Sequence, residues 1–129
     1  MRALITLSAA VLLASGCASG GASGTTSAPP GSRYLVTQEE LARSADRSVY
    51  EVLLQTHPTF LRSRDPVTTD HPYADPVDVY VDGARTEGVE ALKTIRASTV
   101  KEVRFYEPAE ANVHFGTGHN GGLIDVIMK

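Results

Sequence analysis

Residues 100–128 read VKEVRFYEPAEANVHFGTGHNGGLIDVIM, and this stretch decides the fold. From Val100 to Tyr106 the pattern alternates: Val103 and Phe105 fall on one face, Glu102, Arg104 and Tyr106 on the other. That two-residue period is the period of a strand. Pro108 and Glu110 open the next segment, and both favour a first helical turn, so Pro108 to Phe115 is predicted as one or two turns of helix. Gly116, Gly118, Gly121 and Gly122 then make a turn. Leu123 to Lys129 follows as a second strand, apolar on both faces except at Asp125. Such a strand is covered on each side, which predicts a central place in a sheet.

Working outward, Val77 to Val81 is a third period-2 strand with three valines on one face, closed by the turn dipeptide Asp82-Gly83. Val89, Leu92 and Ile95 are spaced by three, which suits a short helix over Gly88 to Ile95. Arg62 to Pro76 has the prolines and aspartates of a loop. Before it, Thr37-Gln38-Glu39-Glu40 has the form of a capping box, with Glu40 reaching back to Thr37. Leu41, Ala45, Val49, Val52 and Leu53 continue from it at spacings of three and four. One helix from about Gln38 to Leu54 is therefore expected to lay its apolar stripe on the sheet. Phe60 and Leu61 are expected to tuck beneath it. The elements add up to a small α+β domain over 34–129, with three to four strands and two or three short-to-medium helices.

The first 33 residues have a different composition. Arg2 gives a minimal positive start, Ala3 to Leu13 is a short, largely apolar run, and Ala14-Ser15-Gly16 lead into Cys17. The run is too short for a transmembrane helix, which takes ~20 apolar residues. Residues 1–16 read as a secretory signal. Small residues directly before the only cysteine resemble the lipobox of bacterial lipoproteins, although Ala14 stands where leucine is commonest. The resemblance implies cleavage before Cys17 and acylation of Cys17, and more than one acyl chain makes a stable anchor. Ala18 follows the cysteine in place of aspartate, so nothing resembles an inner-membrane retention signal, and the outer membrane is the expected site. Residues 17–33 form the lipidated cysteine and a Gly/Ser-rich tether with nothing to bury.

From Val36 to Lys129 the chain resembles the plug domain of TonB-dependent outer-membrane receptors. The pieces that carry the resemblance are Val79-Tyr80-Val81-Asp82-Gly83, Val100-Lys101-Glu102-Val103-Arg104-Phe105, the segment Pro108 to Gly116, and Asn120-Gly121-Gly122-Leu123-Ile124. The departures are Glu107, where the family usually places glycine before its proline, and Asp125 in the final strand. No barrel strands follow and no energy-coupling box precedes, so the expectation is a plug-like domain that does not transport by itself.

Composition narrows the function. Twelve Lys+Arg against 15 Asp+Glu leave a formal charge of −3, which argues against nucleic-acid binding. Gly116-Thr117-Gly118-His119-Asn120-Gly121 spells a dinucleotide fingerprint, but a helix precedes it and a strand follows, the reverse of what a pyrophosphate site needs. No serine sits in a GxSxG elbow, and no catalytic residue is expected. His57, His71, His114 and His119, with Asp65, Asp70, Asp75 and Asp78, raise a metal reading. Their spacings match no zinc or calcium motif, so a solvated acidic loop with surface histidines is expected, with no metal and no cofactor.

The sequence therefore predicts a monomeric, non-enzymatic envelope protein, held to the membrane through Cys17. It is expected to bind a protein partner transiently, through its loops and a face carrying Tyr80 and Arg104. The alternative is a periplasm-facing lipoprotein that binds a small molecule or a metal through the 62–76 loop and the glycine turn.

Overall fold

A computed structural model of the chain describes residues 32–129. The signal segment, Cys17 and all of the tether before Ser32 lie outside the described residues. The domain is α+β. A five-stranded sheet runs in the order β1 (Leu35–Val36), β4 (Val100–Tyr106), β5 (Leu123–Met128), β2 (Asp78–Val81), β3 (Ala84–Arg85). β2 and β5 are parallel and the other pairs antiparallel. Three α-helices accompany it: α1 (Gln38–Ala42), α2 (Val49–Thr56) and α3 (Pro108–Phe115). The predicted helix over Gly88 to Ile95 is a 3-10 turn, Gly88–Lys93.

β5 is central, hydrogen-bonded to β4 on one side and β2 on the other. The sheet has one strand more than the upper expectation, because the two edge strands are each two residues long. β3 is the return arm of a tight hairpin in which Asp82 and Gly83 both take positive φ, 48° and 80°, as a primed turn requires. Two-residue edges leave little unpaired backbone for another chain.

Alternate residues of the strands build the core. Val36, Val79, Val103, Phe105, Ile124 and Val126 are buried on one face beneath α2 and the segments around it. A register shift between Val100 and Glu102 brings Val100 back to that same face, opposite Met128. Phe60 tucks in as expected, stacked 5.0 Å from the Phe105 ring.

The single helix expected over 38–54 is two helices. Thr37 does cap α1, its side chain accepting from the Glu40 backbone N–H at 3.4 Å, but Glu40 does not reach back; its carboxylate sits 3.0 Å from His57 Nε2. The reciprocal capping box belongs to α2, formed by Ser48 and Glu51. Between the helices the backbone is taken by tertiary partners. Ala97 and Ser98 donate to the carbonyls of Arg47 and Ala45, and Val49 donates to Ile95. Carbonyls engaged in this way cannot continue a helical ladder, and a polar N-cap restarts the helix.

Candidate functional site

The second face of the sheet is finished differently. Register alone places Leu35, Arg104, Asp125, Tyr80 and Arg85 side by side in one row across all five strands. The strand pattern aims these side chains away from the core. Tyr80 and Arg104, the two residues expected to form an interaction face, therefore share one face, with Asp125 between them.

Only one end of this face is covered. α3 lies over Tyr106 and Leu123 and buries Ala111, and Phe115 packs on the Tyr80 ring at 5.0 Å and the Tyr106 ring at 5.3 Å. Beyond Phe115, Arg104 is 47 % exposed, and its Nη2 lies 2.6 Å from Glu102 Oε1. A groove bounded by Tyr34, Leu35, Arg104, Tyr106, Glu110 and His114 continues the face around the β1 edge. On the loop, Tyr73 is 83 % exposed.

Asp125 is the anomaly on this face. Its Oδ1 is buried and has no hydrogen-bond partner among the described residues. Burial pushes its carboxyl above the usual carboxylate value; the charge of Arg104 opposes this, and the charges of Asp82 and Glu102 add to it. Asp82 is no donor for it: a carboxylate only accepts, here from the Met128 backbone N–H through Oδ1. A carboxylate removed from water without a donor costs free energy, on the order of 1–3 kcal/mol or more.

Under α3 the same face holds a buried acid–imidazole contact. His119 is 4 % exposed, and its Nδ1 lies 2.6 Å from Asp78 Oδ2. Arg85 donates to Asp78 Oδ1 at 2.7 Å, and the His119 backbone N–H donates to Asn112 Oδ1. These bonds tie the glycine turn to the start of β2, with the Asp78 backbone N–H donating to the Gly122 carbonyl. No serine, threonine or cysteine side chain is bonded to His119 among the described residues, so the geometry is that of a clamp. Sequence reasoning left His119 among the surface histidines; its burial depends on α3 and on Tyr80, which no local pattern reveals.

The 116–121 glycine run lies between a helix and a strand, as its context predicts. Gly121 is there because a Cβ would overlap the carbonyl oxygens of Pro76 and Asp75. The glycine turn and the 62–76 loop are thus packed together: Arg64 N–H donates to the Gly121 carbonyl, and Asn120 Nδ2 donates to Asp75 Oδ2 at 2.9 Å.

The loop is exposed from Pro66 to Ala74, as expected of a solvated stretch, but its first aspartate turns inward. Asp65 is 8 % exposed at its side chain and organises the loop, its Oδ2 accepting from the Asp75 backbone N–H at 2.7 Å. His71 reaches the same oxygen, whereas Asp70 stays exposed on the loop. His57 lies against Glu40 and Phe60, and His114 is exposed beside Tyr106. No helix among the described residues is long and apolar enough to cross a membrane. No protein-family model matches this chain, and no curated protein sequence matches it.

Proposed function

We propose that this is a lipid-anchored envelope protein whose plug-like domain is a protein-interaction module, docking a partner on the Tyr80/Arg104 face of its sheet. The observation that carries this reading is Asp125, half-buried in the middle of the row with an oxygen that lacks a donor. The Asp125 carboxyl puts an under-satisfied acidic group into the row, and Arg104 and Tyr80 flank it as the charged and aromatic residues that interfaces concentrate. The groove beside Arg104 widens the surface available for contact. Short edge strands favour a monomer that meets its partner by this face rather than by edge pairing. Membrane attachment rests on the Ala14-Ser15-Gly16-Cys17 sequence, and the outer membrane on Ala18 in the following place. The domain acts without catalysing or transporting.

Two experiments test the two halves. Replacing Cys17 with Ser is expected to move the protein from the membrane pellet to the soluble fraction; a wild-type chain already soluble contradicts the anchor. Crosslinking from intact envelope is expected to yield a discrete partner adduct that Tyr80→Ala with Arg104→Ala abolishes. An adduct that survives this double change places the contact elsewhere.

A further inference from the structure

Three side chains of the 62–76 loop bring ligand atoms to one point. His71 Nε2 lies 3.0 Å from Asp65 Oδ2 and 3.8 Å from Asp75 Oδ1. One ligand atom from each of the three falls within 4.8 Å of the others. In a tetrahedral zinc site with bonds of about 2.0–2.1 Å, ligand atoms stand about 3.3 Å apart, so the observed separations bracket that value. Each of these atoms has a lone pair to offer. Facing each other they repel unless a proton on the imidazole or a cation lies between them.

Two further features favour the cation. The Asp65 side chain is 8 % exposed; its Oδ2 already accepts from the Asp75 backbone N–H and meets His71, while its Oδ1 makes no hydrogen bond to any described residue and stays open to a ligand. The second carboxylate is steered from outside the loop, by Asn120 on the glycine turn donating to Asp75 Oδ2. Such outer hydrogen bonds fix ligating carboxylates in metal sites. His71 is half-exposed, so an ion reaches the point from solvent and keeps water in its remaining position.

We propose that Asp65, His71 and Asp75 form a divalent cation site for a first-row transition ion of the zinc type. An imidazole and two carboxylates suit Zn²⁺ better than Ca²⁺, which takes six to eight oxygen ligands. The inference is independent of the interaction face, since it uses none of Tyr80, Arg104 or Asp125. With an ion in place, the loop and the glycine turn are joined through metal as well as hydrogen bonds.

The test is calorimetric titration of ZnCl2 into the untagged full chain in detergent, with melting followed in parallel. The expected result is saturable one-to-one binding and a higher melting temperature with Zn²⁺. His71→Ala, at a half-exposed position, should melt as wild type without metal and lose both effects. Asn120→Ala should weaken binding about 10–100-fold, while His114→Ala leaves it unchanged. No saturable binding, binding undiminished in His71→Ala, or a preference for Ca²⁺ over Zn²⁺ overturns the site.

Discussion

The two faces of this sheet are written in alternate residues of the same strands, yet they are completed in different ways. On the core face Val36, Val79, Val103, Phe105, Ile124 and Val126 are closed over by α2 and Phe60. On the other, α3 closes only the end holding Tyr106 and Leu123, and the row Leu35, Arg104, Asp125, Tyr80, Arg85 continues past it. The first face finishes its packing within the chain. The second leaves a buried oxygen without a donor, a condition that native domains rarely keep unless something else meets it. The closed face and the open face are thereby separated by one residue of pleat.

Substitutions on the two faces sharpen this difference. Phe105→Ala empties the ring that stacks on Phe60 and should cost about 3–5 kcal/mol, with Ile124→Ala close behind at about 2–4 kcal/mol, read by denaturant or thermal melts. A total stability of ~5–15 kcal/mol makes either loss plain. Melts unchanged for both would dissolve the contrast between the faces. Under α3, His119→Ala leaves Asp78 with one partner fewer in a buried place, and about 1–3 kcal/mol should go.

Past α3 the effects shrink and change kind. The Asp125 carboxyl is held above its ordinary value of 3.8, chiefly by burial, so the folded state binds its proton more tightly than the unfolded chain does. Its penalty is absent below that ordinary value and grows as pH rises through the raised one. Asp125→Asn should therefore flatten the fall in stability on going upward from about pH 4; an unaltered pH profile removes Asp125 as the strained member of the row. Arg104→Ala, at an exposed position, should leave the melt within about 0.5 kcal/mol of wild type.

Much of this division was legible before the structure. The alternation at 100–106 and 77–81 assigns each side chain to its face, and the doubly apolar 123–128 segment is the central strand. The edge strands were not legible, because two residues carry no period and exist only through their pairing. The break near Ser48 had a signal, the Ser48/Glu51 box, but the stripe from Leu41 to Leu53 runs straight through it. What interrupts the helix is backbone pairing with residues 95–98, a long-range fact. Likewise Asp65, His71 and Asp75 are spaced like no metal motif; they meet through the path of an irregular loop. Tyr80 and Arg104 could be put on outward faces by period alone, whereas the register that sets Asp125 between them could not.

The most direct measurement of whether the open face is covered by a partner is site-specific photocrosslinking in intact cells. A photoreactive residue at position 104, in the row, is compared with one at position 54, exposed on α2 across the core. The expected result is a discrete adduct of defined size from position 104 and none from position 54. The same adduct from both positions, or none from 104 while the protein stays in its membrane fraction, contradicts the account.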